Sequence, residues 1–331
     1  MNSAATAPRS RVSSKVGPNK TQRRKLFDIH SWLGFNLALF MALVVGTGTF
    51  AVIADEIDWL IHPEMRAQSE GEPLSWGALE RAVRESAPDD ILTMLSVHEG
   101  SYFNYRALMY TPEGRAYYRY VDPVTGEVTG TTSSLTVQRF LRDLHRYLFM
   151  PAAIGLPLVT TMAIVLVISL YTGLKTVRNW RTVALRLRLN RGARVAMGDF
   201  HKAAGLWSIW FFLLIVATSF WYFAELGYAA GGGRFEPSRP GVSAERLASL
   251  GTVQRDVDAD ALVAAATAAL PGLRTEEIQF AGGPRQAATV LGRLDDPLVR
   301  KRANRVFIDP VDGSVIHAQR SSEIGWVAYL N

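Results

Sequence analysis

The 331-residue chain contains no cysteine. That excludes disulfides, iron–sulfur clusters and thiolate ligation of a metal. It also excludes a covalently attached haem, which needs a Cys-x-x-Cys-His run. No phosphate-cradling glycine loop, dinucleotide fingerprint or Ser/His/Asp arrangement is found, so a nicotinamide bound by this chain is not expected. Charge is missing as well, but only locally. Residues 31–54, 147–174 and 203–224 carry no charged side chain at all. About 20 apolar residues cross the hydrocarbon core as a helix, so each run predicts a transmembrane span. The first run is too long for a cleaved signal segment and has no small-residue cleavage site after it. No intramembrane charge marks an ion path, which argues against a transporter subunit.

The charges that are present sit in two blocks. Residues 1–29 hold seven Lys or Arg against Asp28, and residues 175–202 hold eight against Asp199. The whole chain is only +6, so the remainder is net acidic. Both blocks abut spans on one side, which places them in the cytoplasm by the positive-inside rule. Nucleic-acid binding is the competing reading of such basic runs; their position beside the spans speaks against it.

The chain therefore divides as follows. A disordered basic cytoplasmic tail (1–25) precedes transmembrane helix one (26–54) and a first extracytoplasmic domain (55–134). An amphipathic lead-in and helix two (135–174) come next, then a basic cytoplasmic loop (175–199) and helix three (200–226). A second extracytoplasmic domain (227–331) completes the order. In the first domain, Trp76, Leu79 and Val83 have helical spacing behind Ser75 as N-cap. Strand-like stretches follow at 91–97, 102–110 and 116–121. In the second, residues 258–270 read as an alanine-rich helix stopped by Pro271 and Gly272, with strand-like stretches at 277–280, 287–291 and 305–308. Gly231, Gly232 and Gly233 read as a flexible joint between helix three and its domain. Pro151 and Pro157 predict a kink or the start of helix two. Trp32, Trp59, Trp207, Trp221 and Tyr222 fit interfacial belts.

Two phrases recur. Asp28-Ile-His30-Ser-Trp-Leu-Gly34 and Asp199-Phe-His201-Lys-Ala-Ala-Gly205 each open a span. Tyr120-Val-Asp122-Pro-Val-Thr-Gly126 and Phe307-Ile-Asp309-Pro-Val-Asp-Gly313 each close a domain. The second phrase specifies a tight hairpin turn and exposes an internal repeat. His145 lies 23 residues after Asp122, just before helix two. The same interval from Asp309 falls at position 332, so the repeat predicts a fourth boundary histidine and a fourth helix, from a longer chain or from a partner.

Imidazole is a metal ligand, and two on neighbouring helices can grip a haem iron from both sides. His30 and His201 are the candidate axial ligands. Gly34 and Gly205, one turn deeper on the same faces, would let a flat macrocycle lie against each helix. Asp28 and Asp199 would orient the imidazoles through the second ring nitrogen. The alternative is that both histidines are interfacial polar groups and both glycines are helix-packing points. His145 is the candidate ligand of a second haem at the outer face, paired with the absent helix. His62, His98 and His317 read as surface residues.

At these residues the chain resembles the PepSY-associated transmembrane family. The His-x-x-x-Gly motif opens two spans, and two PepSY-like domains carry Asp-Pro-x-x-Gly hairpins, over roughly residues 22–331. The resemblance implies an α-helical membrane protein, with three spans and an expected fourth absent, carrying two α+β PepSY-like periplasmic domains. It further implies a bacterial inner-membrane protein linked to iron uptake, such as a ferric-siderophore reductase with b-type haem: one haem, or two where a fourth helix is supplied. Its partners would be the lipid bilayer, a ferric-siderophore-type small molecule and an unidentified electron donor. A non-redox accessory protein, whose outer domains bind peptides or an uptake partner, is the second expectation.

Overall fold

The computed structural model describes residues 19–98, 100–177, 179–185, 187–233, 240–243, 245, 257–282, 286–294 and 299–324. Most of the basic tail therefore lies outside the described residues. The chain splits into two compact units, one of residues 1–45 and 150–226 and one of residues 46–149 and 227–331.

The first unit is helical. Among the described residues three helices are long and apolar enough to cross a membrane: α1 (Lys20–Ala51), which runs on into the other unit, α5 (Ala152–Thr176) and α8 (Ile209–Ala230). Their large side chains are exposed to a degree that only lipid makes favourable; Phe35 and Leu39 of α1 are 87% and 85% exposed. The three spans expected from the charge-free runs are present, with two changes. The second run is not one helix. α4 (Val137–Tyr147) ends where Leu148 and Phe149 adopt positive φ, and Pro151 then starts α5. Pro157 sits inside α5 near its start without ending it. The third run is interrupted at Ser208, which separates α7 (Ala193–Trp207) from α8. Ahead of them lies a short helix, α6 (Trp180–Leu185), within the basic loop.

The second unit is built on one sheet. α2 (Ala54–Ile61) follows α1, and α3 (Trp76–Glu85) starts behind Ser75, whose hydroxyl accepts Ala78 N–H. Strands β1 (Ile91–Ser96), β2 (Tyr105–Tyr110), β3 (Ala116–Val121) and β4 (Val128–Ser133) form an antiparallel meander. After α9 (Ala259–Ala269), strands β5 (Arg274–Gln279), β6 (Ala288–Arg293), β7 (Asn304–Ile308) and β8 (Val315–Gln319) form a second. The two meanders do not stay apart. β1 pairs antiparallel with β5, Leu95 opposite Ile278, so the order is β4-β3-β2-β1-β5-β6-β7-β8. Sequence periodicity shows each α+β half but carries no signal for this edge-to-edge pairing.

Alternation along the strands buries one face under helices. Ala107, Met109 and Val121 pack with Leu79 and Val83 of α3. Ile278, Val290, Val306 and Ile308 pack with Leu262 and Ala266 of α9. The two helices also cap each other. Asp260 accepts Gly77 N–H at 2.8 Å, and Glu80 accepts Ala259 N–H at 2.7 Å. Each carboxylate thus satisfies an orphan donor at the other helix's positive end.

Both repeated turns close alike. Gly126 N–H bonds Asp122 O at 2.9 Å and Gly313 N–H bonds Asp309 O at 3.0 Å. Both glycines have φ of 73°, the left-handed region where glycine carries no Cβ penalty.

Candidate functional site

In the helical unit, α1 and α7 bring His30 and His201 together. Their ring centres are 6.0 Å apart with planes at 50°. Two imidazoles sharing one metal, at the ~2 Å metal–nitrogen distance, have ring centres about 6 Å apart. The ring-centre spacing of the pair matches that separation. Among the described residues no group of three or more His, Asp or Glu side chains is placed to hold a metal.

The third helix of this unit orients one ring. His30 Nδ1 lies 3.0 Å from the Ser169 carbonyl of α5, with Ser169 Oγ and Thr172 Oγ1 at 3.3 and 3.4 Å. A carbonyl only accepts, so that bond puts the proton on Nδ1 and leaves the Nε2 lone pair for a metal. This is the usual support of a ligating imidazole. The Ser169 carbonyl, not Asp28, orients His30.

Asp199 does not orient His201 either. Its carboxylate takes a two-pronged grip from Arg188, Nε at 2.7 Å and Nη2 at 2.8 Å, with Lys202 at 3.9 Å. The Arg188 hydrogen bonds hold the Asp199 carboxyl down at about 2. Trp207 Nε1 adds a bond to Ala184 O at 3.0 Å. The basic loop is thus pinned along α7, the helix that carries His201. Trp207 works as an anchor of that loop as well as an aromatic at the span boundary.

A Cβ placed on Gly34 or Gly205 would meet nothing within 4 Å, so each leaves open space beside its helix. The glycine that touches an imidazole here is Gly173, on α5.

His145 belongs to the sheet unit. It lies in the last turn of α4, against Gly48 near the end of α1. The start of α4 is fixed by Asp58, 1% exposed, whose two carboxylate oxygens accept Val137 N–H at 2.7 Å and Gln138 N–H at 2.9 Å. The remaining histidines have local partners: His62 with Glu64 at 3.4 Å, His98 with Asp55 at 3.6 Å, His317 stacked on Phe307. His98 is not a surface residue. Its side chain is 12% exposed and packs on Phe103. Trp59 is likewise held within the sheet unit, by Tyr102 O at 3.0 Å and under Arg66.

Sequence reasoning missed Ser169, Thr172, Gly173 and Asp58. The first three form the small and polar interruption Ser169-Leu-Tyr-Thr172-Gly173 in an otherwise apolar span, a signal for a helix contact. Asp58 carries no such mark, since nothing local distinguishes it from Asp55.

Comparison with curated proteins finds no match. The sequence pattern of the PepSY-associated TM region matches residues 27–249, more than half of the chain. Together with the three membrane-length helices and the sheet unit, this shows a multi-pass membrane protein that belongs to the PepSY-associated TM region family.

Proposed function

We propose that this protein is an inner-membrane haem b protein that passes electrons from the cytoplasmic to the periplasmic side, with a ferric chelate of the siderophore class as acceptor. The observation that carries this reading is the His30–His201 pair, with His30 Nδ1 held to a backbone carbonyl. Two protein ligands alone leave a metal under-coordinated, and a porphyrin supplies the other four nitrogens. Bound there, a haem would supply a one-electron couple.

The chain's own contribution is positional. Ser169 O fixes the tautomer of His30 and strengthens Nε2 as a donor. Gly34 and Gly205 leave the space a flat group needs. The Arg188–Asp199 grip braces α7 at His201. The basic blocks set the orientation, tail and loop in the cytoplasm and the sheet unit in the periplasm. Electrons arrive from a separate donor. Reduction of Fe(III) to Fe(II) weakens its bonds to hard oxygen ligands, so the acceptor releases its metal. His145 would serve a second haem where a fourth helix supplies its partner.

The test is a reduced-minus-oxidised visible spectrum of the detergent-purified protein, with pyridine quantification of haem. Wild type is expected to show b-type bands, and His30→Ala and His201→Ala each to lose the same haem while inserting normally. A wild type without bands favours the accessory reading, in which the spans only anchor the sheet unit. Unchanged haem content in both variants excludes this pair as the site.

A further inference from the structure

Two glycines lie where any side chain would strike an imidazole. A Cβ on Gly173 would stand 3.1, 3.4 and 3.7 Å from Cε1, Nδ1 and Nε2 of His30. A Cβ on Gly48 would stand 2.6 and 2.8 Å from Cε1 and Nδ1 of His145. Neither glycine has a positive φ, so backbone conformation does not demand one. Both lie inside helices, where glycine is a net cost. Of the histidines in the described residues, the two met this way are His30, in α1, and His145, in the last turn of α4.

We infer that Gly173 is a positioning residue, the seat on which the His30 ring rests. The ring edge that carries both nitrogens lies over the glycine, and from there Nδ1–H reaches the Ser169 carbonyl one turn back on α5. The acceptor is backbone, so no side-chain substitution removes it; Gly173 is the residue through which the bond can be altered. Gly48 makes a like close approach at His145. The inference rests on the haem reading above and adds to it which residue of the chain sets the donor strength of one ligand.

A methyl group at Gly173 forces the ring back by a few tenths of an ångström and stretches the 3.0 Å bond toward the limit for a hydrogen bond. A weaker Nδ1–H bond makes Nε2 a poorer donor, which stabilises the ferric state less. In the full-length protein in detergent, Gly173→Ala is expected to keep its haem content. It should raise the midpoint potential of the haem that depends on His30 and shift its low-spin electron paramagnetic resonance signal. Gly173→Val, which displaces the ring further, is expected to lose the haem that His30→Ala loses. Gly46→Ala, also mid-helix but with open space around it, should match wild type in all three readouts. A His30-dependent haem whose potential, resonance signal and stoichiometry are the same in wild type and Gly173→Ala overturns this inference alone, whether or not the valine variant folds. A wild type with no haem at all overturns it together with the haem reading.

Discussion

Asp58→Ala should loosen α4 without touching the sheet beneath it. The first turn of a helix has N–H groups with no partner in the helix itself. At α4, Thr136 Oγ1 accepts Arg139 N–H at 3.3 Å, while Asp58 accepts Val137 N–H at 2.7 Å and Gln138 N–H at 2.9 Å. A hydrogen bond to a charged group contributes roughly 1.5–3 kcal/mol net. Two of them at a buried, positive helix end would sum to ~3–6 kcal/mol, less whatever water recovers when the side chain goes. The low end, ~3 kcal/mol, is the working figure, and at about 1.4 kcal/mol per decade it predicts roughly 10²-fold easier opening of α4. Hydrogen exchange followed by mass spectrometry reads this directly. Peptides covering 137–147 should exchange about 10²-fold faster in the variant, and peptides covering β2 and β3 should be unchanged. Asp58→Asn, which keeps one acceptor oxygen, should fall between. Exchange of α4 within threefold of wild type would refute the anchoring role. Equal acceleration across the sheet would show that Asp58 holds the whole unit rather than one helix.

Two further outcomes can be checked on the same material. The Arg188 grip lowers the Asp199 carboxyl to about 2, below the unfolded value of ~3.9, so its stabilisation is fully present above about pH 4 and is lost as pH falls toward 2. Amide exchange of 187–199, corrected for intrinsic pH dependence, should be flat from pH 8 to 4 and rise below; a rise centred near pH 6 would show that another group controls the loop. Gly292→Ala should destabilise the second half of the sheet by about 3 kcal/mol or more, because its Cβ would lie 2.1 Å from the Arg274 carbonyl oxygen across a bulge. A thermal or denaturant transition of the sheet unit equal to wild type would contradict that close approach.

Periodicity made the elements legible. Residues 116–121, read as a strand-like stretch, form β3 with those bounds, and Ser75 and Asp258 cap α3 and α9. The repeated Asp-Pro-x-x-Gly phrase announced two identical turns, and the bonds at Asp122 and Asp309 show why: one carboxylate oxygen accepts N–H groups two residues on in both. What periodicity cannot carry is pairing between distant segments. Nothing in residues 91–96 or 274–279 marks them as partners: one segment is mostly apolar and the other mostly polar, and neither carries a pattern that names the other. The break at Ser208 inside the third apolar run was equally hidden, whereas Pro151 marked the start of α5 in the sequence. Leu148 and Phe149 are apolar residues that hydropathy assigns to a span, yet they take positive φ as the left-handed cap that ends α4, Leu148 N–H bonding Leu144 O at 3.1 Å.

The candidate site shows the same limit at finer scale. Asp-x-His-x-x-x-Gly occurs twice, and by sequence alone the two copies deserve equal roles. Their surroundings differ in kind. His30 has its second nitrogen tied to a backbone carbonyl, two hydroxyls within reach and a glycine beneath it, all from α5. His201 makes no hydrogen bond among the described residues, and the acid of its motif is spent on Arg188. The same acid in the first copy, Asp28, does not support its own histidine. A motif fixes which atoms can act as ligands, but the groups that tune a ligand come from whichever element packs beside it. The two imidazoles are therefore chemically inequivalent although their motifs match. If both bind one iron, His30 is the stronger donor of the pair, and that asymmetry comes from the intervening helix α5, which carries no copy of the motif.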